Sequence, residues 1–404
     1  MGYISIMPHT RARHLASLLR KSMSYSPITG VFGHRQVGKT TLVSALAEKY
    51  VTLDVPTELA NAQASPEVFL SKNAAMPLVI DECQYAPNLF PVLKEWVRTR
   101  KKPGQFLLTG SVRFSSRKVI RESLTGRMIA WELLPMDWSE QHSMELPDGA
   151  LRLLKDIRTP LMKVASDINL KKFSQFIEMG GLPGVFVVRS SEVRKQRFET
   201  QMNTLLERDL KLVLQTSLGF STLRKMLVAL AIQAGGPLDY TALQKASRVS
   251  LPTLKKLVSA LESLFIIRLY PCEGDYKKSI VRFEDIGEQN YLARMDLEST
   301  EALTAFLYHN LRVQFHYRPD SEVEMFTYRT RRGFDVPICL RQGKKVLGII
   351  PVVKNDVEHA YLSAKKFVEA YDHASAVLVS LGPPLKDYLG DRIRHLSIAQ
   401  LLLG

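Results

Sequence analysis

The sequence predicts an α/β protein whose first domain is a parallel sheet built around a phosphate-binding loop. Three stretches carry that prediction: "VFGHRQVGKTTLV" at residues 31–43, "PLVIDE" at 77–82 and "QFLLTGS" at 105–111. Each joins an apolar, β-prone run to polar residues at its carboxyl end, where ligands gather in parallel sheets.

The first stretch holds "GHRQVGKT", which fits G-x-x-x-x-G-K-[ST] with Gly33, Gly38, Lys39 and Thr40 at the fixed positions. "PITGVF" before it reads as a strand. "TTLVSALAEKY" after it reads as an amphipathic helix, so the order strand, loop, helix is right. In such a loop, glycines let backbone N–H groups converge on phosphate oxygens. Arg35, Gln36, Val37 and Thr41 complete the cradle. Lys39 is expected to reach the β- and γ-phosphates and the Thr40 hydroxyl to ligate Mg²⁺.

The second stretch ends an apolar strand in two carboxylates. Asp81 is expected to hold Mg²⁺, directly or through water. Glu82 is the candidate base or orienter for an attacking water. The competing reading is a pair of solvated acids, which the loop upstream disfavours. The third stretch places Thr109 and Ser111 near the γ-phosphate. ATP or GTP binding with hydrolysis follows.

Composition sets outer limits. The chain has 404 residues, 46% of them apolar, enough for several cores. The longest apolar run, "VLGIIPVV" from Val346, is too short to cross a bilayer and contains a proline. The N-terminus lacks a signal-peptide pattern. Cys83, Cys272 and Cys339 lie far apart with no CxxC pair, so neither a disulfide framework nor a zinc site is indicated. These features predict a soluble, cytoplasmic protein. The formal net charge of +15 favours polyanionic partners, nucleic acid above all, over a merely solvated basic surface only when other signals agree.

The line "LVIDECQYAPNLFPVLKEWV…FLLTGSVRF…SLTGRMIAWELLPMDWSEQ", taken with "GHRQVGKT", resembles prokaryotic AAA-superfamily ATPases whose C-terminal half is an uncharacterised domain related to PD-(D/E)xK nucleases. The shared motifs are Gly33 to Thr40, Asp81-Glu82 with Gln84, Thr109-Gly110-Ser111, Ser123-Leu124 with Gly126-Arg127, and Pro135-Met136 with Glu140. Gly180, Gly181 and Pro183 match the family's GG-x-P, and Arg208-Asp209 its later RD. The resemblance implies an ATPase rather than a GTPase. It implies that Ser111 senses the γ-phosphate and that Pro183 packs near the nucleotide base. Arg127 is implied as a charge-stabilising finger, in cis or from a neighbouring subunit in a homo-oligomer, with a structural ion pair as its alternative.

From Gly235 the chain reads "GGPLDYTALQKASRVSLPTLKKLVSALESLFIIRLYP". A helix starts near Tyr240, a turn holds "SRVS", and a second helix follows the N-cap candidate Ser250. Leu254, Leu257, Val258, Leu261 and Leu264 form one apolar face, and Lys255, Lys256 and Ser259 the opposite one. Strands "FIIRLY" and "IVRFED" then flank a basic connection with Lys277 and Lys278. This is a winged-helix pattern, in which the second helix enters the major groove and the wing lysines meet phosphate. A lid or docking role for the same elements stays open.

Residues 300–404 alternate helices and strands in the manner of the related nucleases, which need an Asp followed by E-x-K on the next strand. Asp335 and Lys354 stand in place, but Val352 replaces the carboxylate, and Thr304 or its neighbours replace a helical Glu. Nothing in the spacing favours Glu322 or Glu324 as substitutes. One carboxylate does not make a Mg²⁺ site. The expected architecture is therefore a P-loop NTPase core (1–145), a linker and helical lid (146–230), a winged helix (231–295) and a degenerate nuclease-like α/β domain (296–404). The stretch "SMELPDGALRLLKD", from Ser143, reads as the link between core and lid. The expected function is Mg²⁺-dependent ATP hydrolysis coupled to nucleic acid, DNA more than RNA. The alternatives are a nucleotide-gated signalling or defence switch with a protein partner, and an ATP-regulated nuclease.

Overall fold

The computed structural model describes residues 11–113, 124–161, 168–276, 278–353, 356–384 and 388–404. Ser123, Lys277 and Lys354 lie outside the described residues. Contacts divide the chain into two units. The first comprises the described residues through Pro135 with Leu182–Val187 and Ser259–Ile266; the second comprises Met136–Gly181, Val188–Val258 and Ile267–Gly404.

The first unit is a five-stranded, all-parallel sheet. Its strands are β1 (Ile28–Gly33), β2 (Lys49–Thr52), β3 (Leu78–Asp81), β4 (Phe106–Gly110) and β5 (Met128–Leu133), in the order β2-β3-β4-β1-β5. β1, β3 and β4 are buried along their whole length, which explains why their sequences run apolar without alternation. The helix Leu89–Thr99 covers one face with Leu89, Phe90, Leu93 and Val97. The helix after the loop is shorter than "TTLVSALAEKY" suggests. It spans Lys39–Ser44, and Lys49 and Tyr50 open β2 instead.

The second unit centres on the helix Thr300–His316, buried on nearly every face. The Phe306 ring sits 5.2 Å from Phe173, 4.8 Å from Phe176 and 6.0 Å from Trp138, centroid to centroid. The helix Gly149–Lys155, within the stretch that starts at Ser143, buries Ala150, Leu153 and Leu154 in this same core. The RD pair lies in a π-helical turn, Leu205–Asp209, with Asp209 buried.

Helices Tyr240–Ser247 and Leu251–Ser263 are followed by an antiparallel pair, β6 (Ile267–Tyr270) and β8 (Ile280–Phe283). Between them, β7 (Cys272–Glu273) leaves the hairpin and pairs in parallel with β9 (Glu324–Arg329). β10 (Asp335–Gln342), β11 (Lys345–Val352), β12 (Ala374–Ser380), β13 (Tyr388–Gly390) and β14 (Ile393–Ser397) complete a seven-stranded sheet ordered β13-β14-β12-β11-β10-β9-β7. The first residues of the expected wing, Cys272–Glu273, are therefore tied into the larger sheet. Glu273 accepts hydrogen bonds from Arg341 at 2.6 Å and from the Tyr371 hydroxyl at 2.7 Å. No described helix is long and apolar enough to cross a membrane.

His309 lies in the middle of this core, its Nε2 donating to the Met136 carbonyl at 3.0 Å. Burial lowers its pKa to about 4 from the ordinary 6.5, with the carbonyl acting weakly the other way. Below pH 6.5 the unfolded chain takes up a proton that the folded one refuses, so stability is lost as pH falls from 6.5 towards 4. Between pH 7 and pH 5 this group should cost about 2 kcal/mol. Urea unfolding at the two pH values should show a smaller loss, by about that amount, for His309→Gln.

Candidate functional site

At the end of β1 the chain turns through a loop in which Gln36 (φ 62°) and Gly38 (φ 98°) are both left-handed. Alternating backbone handedness of this kind points successive N–H groups inward and makes an anion cradle. Gly38 also has company: a Cβ there would lie 3.4 Å from Arg13 Nη1 and 3.5 Å from Pro183 Cγ. Lys39 is buried, and its ammonium donates to the carbonyls of Gly33 at 3.0 Å and His34 at 2.9 Å inside the loop. Arg13 donates to Val37 O at 2.7 Å and to the Leu134 carbonyl, tying the loop to the end of β5. Sequence reading did not single out Arg13, because nothing local marks an arginine before a short helix. Arg35 is half-buried, while Gln36, Thr40 and Thr41 face solvent and Val37 is buried.

One strand, β4, separates β1 from β3 and brings its own hydroxyls to the same rim. Asp81 ends β3 and is buried. Its Oδ2 accepts from Thr40 Oγ1 at 2.8 Å and from the Tyr50 hydroxyl at 2.5 Å. Its Oδ1 accepts from Thr109 Oγ1 and from the Glu82 backbone N–H at 3.1 Å. Thus the two residues expected to share Mg²⁺, Thr40 and Asp81, meet directly through hard oxygens, the donor type that cation prefers. Burial, followed by the Asp81 carboxylate, raises the Tyr50 hydroxyl well above its ordinary pKa, so it stays a donor.

Glu82 follows in a left-handed conformation (φ 55°), uncommon for a non-glycine residue. Its Oε2 accepts from Gln84 Nε2 at 2.5 Å and from Ser111 Oγ at 3.3 Å; Gln84 Nε2 also donates to Ser111 Oγ at 3.3 Å. Lys39, Thr40, Asp81, Glu82, Thr109 and Ser111 therefore lie on one connected rim. Pro183 opens the short helix Pro183–Phe186 beside the loop, within the same unit. Gly180 and Gly181, by contrast, belong to the second unit, where Gly181 N–H donates to Asp285 at 2.6 Å.

Arg127 requires a correction. It precedes β5, whose register sets Met128 beside Ile28 and Leu133 beside Gly33. Arg127 is thus at the amino end of the sheet, about 20 Å from the loop at ~3.3 Å per residue. No cis finger is possible across that span. Among the described residues its guanidinium donates to Thr125 O at 3.4 Å. Arg113 is engaged differently, pairing with Glu132 at 3.0 Å and donating to Glu262 O at 2.6 Å.

Lys255 and Lys256 are exposed, opposite the buried face formed by Leu254, Leu257, Val258 and Leu261. Lys278 is exposed 5.9 Å from the Tyr276 ring. In the large sheet β10 pairs antiparallel with β11 from Ile338 against Ile349 to Gln342 against Lys345; Asp335 opens β10 and Val352 closes β11. Val352 is buried and the Thr304 hydroxyl bonds its own helix at Thr300 O, 2.7 Å. Burial raises the Asp335 pKa, countered by Arg329, Arg282 and His359. Among the described residues no group of three metal-ligating side chains comes together.

Residues 25–142 match a family model described as an AAA domain, which supports a P-loop, AAA-type ATPase domain in this part of the chain. Residues 170–283 match a domain of unknown function (DUF8612). Uncharacterised proteins of Mycobacterium bovis and Mycobacterium tuberculosis are each 28% identical over 260 residues, 63% of this chain and 52% of theirs. The chain thus spans about half the length of the curated relatives it matches. Among solved structures, a Walker-type ATPase of Pyrococcus abyssi aligns at 16% identity over 69% of this chain and 94% of its own, with a TM-score of 0.41. A signal-transduction ATPase of Pyrococcus horikoshii with a tetratricopeptide repeat sensor aligns at 12% identity over 78% of this chain and 50% of its own, with a TM-score of 0.21. At those scores neither likeness fixes the fold.

Proposed function

We propose that the chain binds ATP with Mg²⁺ and hydrolyses it, coupling nucleotide state to nucleic-acid binding by its basic C-terminal half. The observation that carries the first part is the joined rim: Thr40 on Asp81, and Ser111 and Gln84 on Glu82. In this reading the loop N–H groups and Lys39 hold the phosphates, with Arg35, Gln36, Val37, Thr41 and Pro183 around them. Thr40 and Asp81 hold Mg²⁺, whose charge offsets that of the phosphates. Glu82 takes the proton of the attacking water, and Ser111 reports on the γ-phosphate. Lys39 exchanges its carbonyl partners for phosphate oxygens. Arg127 serves only in trans, which requires a homo-oligomer.

The nucleic-acid part rests on the exposed Lys255, Lys256 and Lys278 and on the net charge of +15. The helix pair with β6 and β8 is read as a winged helix, and residues 296–404 as a degenerate nuclease-like domain whose carboxylate position is Val352. Phosphate contacts release counterions and make binding fall steeply with salt. Replacing both Lys255 and Lys256 by Ala should shallow the slope of log affinity against log salt by about 2 for duplex DNA. An unchanged slope in a gel-shift series would remove this helix from the interface.

The second reading, a nucleotide-gated switch with slow turnover and a protein partner, is favoured by one observation: Glu82 has its Oε2 already committed to Gln84 and Ser111. Steady-state ATP hydrolysis with and without duplex DNA separates the two. Stimulation by DNA supports the coupled ATPase; slow turnover indifferent to DNA supports the switch.

A further inference from the structure

Tyr50 has no place in the motifs that define the loop and the β3 carboxylates, yet its hydroxyl is the second side-chain donor to Asp81 Oδ2, at 2.5 Å. The route is set by the sheet. In the β2–β3 pairing Tyr50 stands beside Val79 and Thr52 beside Asp81. Residues paired in parallel strands project to the same face, and a long side chain reaches the diagonal neighbour two residues along. Tyr50 spans that diagonal and leaves its ring half-buried.

The Asp81 carboxylate accepts four donors, Thr40 and Tyr50 on Oδ2 and Thr109 and the Glu82 N–H on Oδ1. A carboxylate offers about four lone-pair sites, so this set fills it. A Thr hydroxyl carries one proton and two lone pairs. Were Thr40 to rotate its proton away from Oδ2 on turning its oxygen to a divalent cation, one site would open there, facing Thr40. The other three donors then hold the plane of the carboxylate. Of these, Thr109 and the Glu82 N–H fix Oδ1, and among the described residues only Tyr50 would then fix the oxygen that would meet the cation or its water.

We propose that Tyr50 is a positioning residue for Mg²⁺, orienting Asp81 Oδ2 so that the site vacated by Thr40 points at the metal. This rests on the reading of Thr40 and Asp81 as the Mg²⁺ pair. Partners that orient a metal ligand from behind change metal affinity by about 10- to 100-fold when removed.

The test uses the full chain and a fluorescent ATP analogue, titrated with Mg²⁺ at fixed nucleotide, with Mn²⁺ binding followed by electron paramagnetic resonance as a direct metal readout. For Tyr50→Phe, which keeps the ring in place, both cation midpoints should rise about 10- to 100-fold. Nucleotide affinity without metal and the melting temperature should stay at wild-type values. Unchanged midpoints would overturn the proposal, as would tighter ones, which would make Tyr50 a competitor of the cation. A rise matched by an equal loss of metal-free nucleotide binding would reduce Tyr50 to packing and overturn it too. Asp81→Asn separates the two levels of inference. If that variant keeps the wild-type cation midpoint, the Mg²⁺ pair itself is misassigned. If it loses cation binding while Tyr50→Phe does not, only the role of Tyr50 falls.

Discussion

Glu82→Gln should lower steady-state ATP turnover by about 10²- to 10⁴-fold, the usual worth of a positioned general base. ATP itself should remain bound, because the phosphate cradle is built from Lys39 and loop backbone that the substitution does not touch. The change is nearly isosteric. A glutamine there still accepts from Gln84 and Ser111 through its carbonyl oxygen, so the rim stays assembled while the proton acceptor is lost. Single-turnover hydrolysis beside equilibrium binding of the same analogue is the check. A fall in binding that parallels the fall in rate would mean that Glu82 holds the loop and not the water.

The other large effect is on stability. Gly180 has φ 65° and ψ −167°, a region open essentially to glycine alone. A Cβ on it would lie 2.4 Å from Asp285 Oδ1 and 2.9 Å from Gly287 Cα. Asp285 cannot retreat cheaply, since Gly181 N–H holds its Oδ2 at 2.6 Å and Glu288 N–H its Oδ1 at 2.9 Å. Gly180→Ala therefore adds backbone strain to a steric clash and should cost about 2–5 kcal/mol. Urea unfolding of the second unit measures it. Ala at the exposed Gly219, where a Cβ meets nothing within 4 Å, is the matched control.

That pair of contacts shows what the sequence could and could not say. "EMGGLPGVF" and "RFEDIGEQNYL" stand far apart in the chain. In the structure they are halves of one junction, with Asp285 capping the helix Ile286–Ala293 and binding Gly181. Local patterns do not encode such a meeting. The loop, the β3 carboxylates and the hydroxyls of β4 were legible because their chemistry demands fixed spacing on adjacent strands. So were the helix pair and most of the C-terminal strands, where apolar periodicity is strong. Tyr50 was hidden because an apolar, helix-favouring run leads into it. The chain turns at Ala45–Glu48 instead, and only the β2–β3 register brings its hydroxyl to Asp81. Arg127 was misplaced for the converse reason. A motif gives order along the chain, whereas the end of the sheet on which a residue lies depends on strand direction.

The departure of β7 from the hairpin decides how the helix pair can be studied. A fragment cut after Phe283, where the match to the domain of unknown function also ends, would carry Cys272–Glu273 without β9 to pair with. Glu273 would lose Arg341 and Tyr371, and Arg282 would lose both the Pro337 carbonyl at 2.8 Å and the Tyr308 ring at 4.5 Å. A buried guanidinium and a strand edge would be left in water with nothing to replace them. The segment that carries Lys255, Lys256 and Lys278 is thus not an excisable module. Its boundaries in the chain are not boundaries in space, and grafting or truncation must carry the seven-stranded sheet along.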